Sequence, residues 1–269
     1  MKLFSIASII LWASMFLEAQ PNCKVFLWKG DTAQYQACKL LEENIGKYYQ
    51  FSKEFHALVD SAIEICPRFA YAYREKAAPF VKSGQFIEWK KYIDLAVKYD
   101  TLGYLPVRAS LRYKFFADYT GTLEDIGLLE QKVKGNIGYS SNGTYHLLVV
   151  KALCLKQSGD QAKGIQVLEA WVNNKVYTPG LYDYLHLGVM YLEAGDYKNA
   201  EHYLVLQNKK YEYAETYYYL SLLYGKTNQL DKIKTLKEKA TDLFFKNQKL
   251  NDPYNYLINQ IDLRQLIGR

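Results

Sequence analysis

Along positions 181–204 apolar and aromatic side chains recur at steps of three and four: Tyr184, Leu187-Gly188 and Tyr191, then Gly195-Asp196-Tyr197, then Ala200 and Leu204. This spacing turns one side of a 3.6-residue helix into a core, twice, with a glycine turn between the two stretches. The two-helix unit returns along the chain. A unit starting at Ala70 has Tyr73, Lys76-Ala77 and Phe80, a turn at Gly84, then Ile93 and Ala96, with Trp89 where a small residue is usual. A degenerate unit from Gly103 has Tyr113, Asp118-Tyr119 at its turn, Thr122 and Ile126. Pro106 falls in its first helical turn, where a missing amide hydrogen costs little. From Tyr145 the pattern is Leu148, Ala152, Leu155, Gly159-Asp160, Gly164 and Leu168; from Ala214 it is Tyr217, Leu220, Ser221, Tyr224, Asn228, Leu230, Ile233, Leu236 and Ala240. The last start lies 33 residues after Leu181. About five helical hairpins are therefore expected, near 70–102, 103–136, 145–178, 181–213 and 214–247.

Packing explains the choice of residues. Helices that approach to about 8 to 10 Å need small side chains at the contact, and Ala77, Ala152, Gly188, Ala200 and Ser221 supply them. Tyr and Phe fill the wider gaps with each hydroxyl near the surface, which accounts for most of the 26 tyrosines. Residues 20–69 lack the repeat pattern, yet Tyr48, Phe51, Phe55, Leu58, Val59 and Ala62 form a helical stripe that ends at Cys66-Pro67. They read as an N-terminal helical cap over the open end of a stack. At the other end Asp252-Pro253-Tyr254 stops the last repeat helix, and Tyr256, Leu257, Ile258, Ile261, Leu263 and Leu266 predict a closing helix in a tail over 251–269. The connection 134–144 holds three glycines and reads as an inter-repeat insertion, with Asn142-Gly143-Thr144 matching a glycosylation acceptor.

The first 19 residues differ in kind. Lys2 precedes an apolar run over 3–17, too short for a membrane span and suited to a secretory signal, with Ala19 as the small residue at the cleavage point. An uncleaved anchor is the alternative. No other apolar run reaches the length of a span, so no stable membrane span is expected after cleavage. In an oxidising compartment the four cysteines become readable. Cys23 and Cys38 flank a short polar stretch before a helix from Thr32 and form the candidate disulfide, with Cys66 and Cys154 as buried thiols. No zinc spacing such as C-x2-C or H-x3-H occurs, and no metal or other cofactor is expected.

The formal charge of +6 is mild. The lysines at 209–210 and 232–239 alternate with Asp231, Leu236 and Glu238, a pattern of solvated helix faces rather than a phosphate-binding strip; nucleic acid is not an expected partner. Four histidines are present, but His146 has no acid within a helical turn and no G-x-S-x-G, H-E-x-x-H or phosphate loop accompanies them. No enzymatic activity is expected.

The unit W-x2-L-G-x2-Y then A-x3-F belongs to the tetratricopeptide repeat, and the chain resembles exported bacterial proteins of that family from about position 71 to 252, in stretches such as 71–76 and 178–184. The resemblance implies an all-α solenoid of helix-turn-helix repeats in a right-handed superhelix, binding a protein or peptide in a concave groove lined by the first helices. On this sequence the lining is Tyr71, Arg74, His146, Val149, Leu153, Tyr182, Leu185, His186, Val189, Tyr218, Tyr219 and Leu222, with Glu215 beside them. Arg74 is the one strong cation there, so the lining suits an apolar segment better than a peptide carboxylate. Two readings follow: an envelope adaptor with a partner in that groove, or an assembly component using its convex face or ends, its groove filled by its own C-terminal tail.

Overall fold

The computed structural model describes residues 21–267; the expected signal segment lies outside them. The chain divides into two compact units that part between Lys76 and Ala77. Every regular element among the described residues is helical, apart from one isolated bridge between Tyr139 and His146. No helix there is long and apolar enough to cross a membrane.

The first unit holds α1 (Cys23–Trp28), α2 (Thr32–Asn44), α3 (Lys53–Ile65) and the first turns of α4 (Ala70–Lys82). Three polar side chains start its helices by accepting otherwise orphaned amide hydrogens: Asn22 from Lys24, Asp31 from Gln34 and Ser52 from Phe55. Ala37, Leu41, Phe55, Val59 and Ala62 are buried between α2 and α3. Cys23 and Cys38 are joined by a disulfide with Cα atoms 5.5 Å apart, and Arg68 pairs with Asp31 at 2.6 Å. Cys66 and Cys154 are buried free thiols.

The second unit continues α4 and adds α5 (Phe86–Tyr99), α6 (Thr101–Leu111), a π-helical turn (Arg112–Phe116), α7 (Tyr119–Lys132), α8 (Leu147–Gln157), α9 (Gln161–Val172), α10 (Asp183–Glu193), α11 (Tyr197–Lys210), α12 (Ala214–Lys226), α13 (Leu230–Phe245) and α14 (Leu263–Ile267). Helices α8 with α9, α10 with α11, and α12 with α13 make hairpins; α6, α8, α10 and α12 also contact in succession, so the first helices form one layer. The turns are chemical repeats: Gly159 and Gly195 at φ +90° and +80° reverse the chain, and the next residue, Asp160 or Asp196, caps the second helix through its carboxylate. Two glycines set the hairpin spacing. A Cβ at Gly188 would lie 2.8 Å from Leu204 Cγ, and one at Gly164 would lie 2.8 Å from the Ala152 carbonyl oxygen.

The degenerate repeat has a physical reason. Arg108 makes two hydrogen bonds to the buried Asp125, at 3.0 and 2.6 Å, and Arg112 lies 3.5 Å from the same carboxylate, so charge fills space that apolar side chains occupy elsewhere. Gly121 makes room, since a Cβ there would meet the Arg112 guanidinium at 2.0 Å. The helix widens into the π turn and ends at Ala117 with φ +49°. Three expectations need correction. Pro106 sits inside α6, because Asp100 caps a helix that begins at Thr101, two residues before the expected start near Gly103. The last repeat helix stops at Phe245, well before Pro253, where Asn247 at φ +59° lets the Gln248 amide bond the Leu243 carbonyl. Among the described residues the tail is helical only over five, in α14; the remainder up to Asp262 is irregular.

Candidate functional site

The residues expected to line an open groove are largely inaccessible. Val149, Leu153, Leu185, His186 and Val189 have no exposed surface, His146 is 1% exposed and Tyr182 9%. Tyr218 and Tyr219 are half-buried, and of this set only Leu222 is classed as exposed. Tyr71 and Arg74 belong to the first unit, where Tyr71 is buried beside the Phe69 ring and Arg74 pairs with Glu75. The expected lining in the second unit is thus largely core and not a vacant surface, and the chain's own tail covers part of it.

The tail, residues 248–261, runs out and back across the first-helix layer. On leaving α13 its Gln248 carbonyl accepts the Ala214 amide at 2.9 Å, and the Leu250 amide donates to Glu215 Oε2 at 3.0 Å. At the far point Asp252 pairs with Lys114 Nζ at 2.6 Å and the Asn255 amide group donates to the Lys114 carbonyl. Returning, Asn259 meets His186 Nδ1 at 2.9 Å and Lys156 Nζ at 3.2 Å, and the Ile261 amide reaches Glu215 Oε1 at 3.4 Å. Leu250 and Leu257 join the main core; Ile261 and Leu266 join a second cluster with Ala214, Ala240 and Leu243, against which Tyr217, Tyr218 and Tyr219 pack. Both limbs of the tail therefore hang on one carboxylate. Glu215 has no exposed surface, and burial pushes its carboxyl up to about 7 against the lowering effect of the amides it accepts.

The two histidines that could have shared a groove are fixed separately. His146 caps α8 by accepting the Leu148 amide on Nδ1 at 3.1 Å, and its Nε2 donates to Asn136 Oδ1 at 2.8 Å while the ring stacks on Trp171. His186 accepts from Asn259 on Nδ1 and donates from Nε2 to the Tyr145 hydroxyl at 3.1 Å. Burial lowers His146 to about 4 and His186 to about 3, with Lys156 adding to the second. Both rings are neutral and use both nitrogens, which removes them as general bases or metal ligands in this arrangement. Among the described residues no group of three or more His, Cys, Asp or Glu side chains could hold a metal ion.

Lys114, Asp252, Asn255 and Asn259 escaped the repeat pattern. Their signal was compositional: Asn251, Asp252, Asn255 and Asn259 interrupt an apolar stretch whose backbone needs partners outside a helix. The insertion 134–144 closes on itself, with the Ser140 amide bonding the Tyr145 carbonyl at 2.8 Å, and docks on α6 through Ser141 and Ser110.

No family model matches the chain, and a search of curated proteins finds no match. Among solved structures the chain is similar to PilF of Pseudomonas aeruginosa, a tetratricopeptide repeat protein, with a TM-score of 0.57 and 14% identity over 80% of this chain and 93% of that one. It is also similar to BtubC (BKLC) from P. vanneervenii, with a TM-score of 0.51 and 15% identity over 90% and 99% of the two chains. At such identities the likeness concerns the fold alone: this is an all-α helical solenoid, similar in fold to a tetratricopeptide repeat protein.

Proposed function

We propose that the chain is a non-enzymatic protein-interaction scaffold of the cell envelope that meets its partners through its outer faces or ends, its first-helix face being occupied by its own C-terminal tail. The observation that carries this reading is the tail itself, bonded to Lys114, Lys156, His186 and Glu215 on successive elements. Solenoid repeats offer extended surfaces for protein segments, and the buried His146 and His186 are used here to hold the fold. Export rests on the Lys2 and 3–17 signal pattern and on the Cys23–Cys38 bond, a pairing suited to an oxidising compartment.

The competing reading, a partner in the groove, would make the tail a competitor. Loosening it by Asp252→Ala with Asn259→Ala separates the two. Partner recovery by affinity capture from native envelopes stays unchanged or falls if contacts lie outside; a rise of several-fold would overturn the proposal in favour of the groove. Fractionation of cells producing the full chain checks export, which a cytoplasmic pool with reduced Cys23 and Cys38 would refute.

A further inference from the structure

The scaffold reading leaves α13, at one end of the second unit, with an uncovered face among the described residues. Helices α8, α10 and α12 run for 11, 11 and 13 residues, each laid against its neighbour in the first-helix layer. The next such place, beyond α13, is taken by α14, which has five residues and packs Leu266 near Ala240 and Leu243. Beside it an open shelf of about 860 Å³ runs along α13, lined among others by Leu230, Ile233, Lys237, Glu238 and Phe245. Leu230 is 63% and Phe245 70% exposed, large apolar side chains one helical face apart at the two ends of the shelf.

We infer that this shelf binds a second copy of the chain, α13 crossing α13 in antiparallel fashion about a two-fold axis. This rests on the reading that contacts lie at faces and ends. The charge order along the helix selects the occupant. Lys234 and Lys237 lie in its first half, Glu238 and Asp242 in its second, and no ion pair among the described residues engages Lys234, Lys237 or Glu238. Asp242 pairs with Lys246 at an exposed position, where such a pair is weak and readily exchanged. Antiparallel pairing about the midpoint between positions 237 and 238 sets each Lys237 near the Glu238 of the other copy, brings Lys234 within reach of Asp242, and lays Leu230 toward Phe245 at both ends. A parallel pairing would set like charges together. A two-fold interface is self-complementary by necessity, and a face whose charges invert about its centre meets that condition. A 16-residue helix is about 24 Å long, so the contact lies at the small end of specific interfaces, among weak transient pairs.

Sedimentation equilibrium of the full chain from about 1 to 300 μM should show a monomer–dimer exchange across the range set by that small interface. Lys237→Glu should weaken dimerisation by about tenfold or more, since it places like charges across the axis. Adding Glu238→Lys restores the opposite signs and should return the affinity to within about threefold of the parent, on the logic of double-mutant rescue. Both positions are exposed, and an unchanged melting temperature verifies the fold of each variant. A parent chain that stays monomeric throughout, a dimer indifferent to Lys237→Glu, or a double variant that fails to recover each overturns the inference. None of these outcomes bears on partner recovery from envelopes, which tests the scaffold reading by itself.

Discussion

Glu215, His146 and His186 give the second unit a pH dependence with two opposed parts. The histidines are held near 4 and 3 against an ordinary 6.5, so below pH 6.5 the unfolded chain binds more protons than the native one and stability is lost as pH falls. Glu215 is raised to about 7 from 4.5, so between those values the native chain binds the extra proton and stability is lost as pH rises. Between about pH 5 and 6.5 two rising contributions oppose one falling one, a net gain on the order of 1 kcal/mol per pH unit. Glu215→Gln removes the falling part, and the slope of urea-unfolding free energy against pH should about double in that window. An unaltered slope would place the carboxylate elsewhere. The small contact residues could be read from spacing alone, because helix periodicity is local. The clamp role of Glu215 could not, since the amides it accepts belong to Leu250 and Ile261, 35 and 46 positions later.

Helices and their turns were legible where local chemistry decides: Gly195-Asp196 and Gly159-Asp160 each reverse the chain and cap the next helix within three residues. The two contact glycines separate by what a methyl group would strike. Gly164→Ala drives a Cβ against the backbone oxygen of Ala152, whereas Gly188→Ala first meets the buried Leu204 side chain, with the Leu204 backbone nitrogen next at 3.1 Å. Thermal unfolding should show a loss of about 1–3 kcal/mol for Gly188→Ala and a larger one for Gly164→Ala; the reverse order would mean that the α8–α9 hairpin opens more easily than its packing indicates. Element boundaries were less legible. Asp100 starts α6 early and leaves Pro106 in its interior, and the Arg108, Arg112 and Asp125 group bends the chain into a π turn, both outcomes of contacts between helices and not of the local pattern. The apolar spacing of the tail fits a helix, but its Asn and Asp side chains are satisfied by the π turn, α8 and α10.

At the scale of the molecule, the two units are held by different means. The first has a small core and a bond that closes a 15-residue separation, worth about 3 kcal/mol by restricting the unfolded chain. Reduction, or Cys23→Ser with Cys38→Ser, should lower the urea stability of that unit by about this amount. A cap over positions 20–69 was expected; the compact unit extends to Lys76, inside α4. The fold class was open to sequence reading because each repeat states it again, and the state of the groove was not, because a single non-repeating segment decides it. That segment also changes how the second unit comes apart. In a linear array each repeat answers only to its neighbours, so unfolding spreads from an end. Here Asp252 returns to Lys114 across 138 positions of chain, so the tail is tied to the turn that follows α6. The array is buckled like a belt between the turn after α6 and the tail, so fraying from the α13 end must first undo the strap, and the repeats inside it open together.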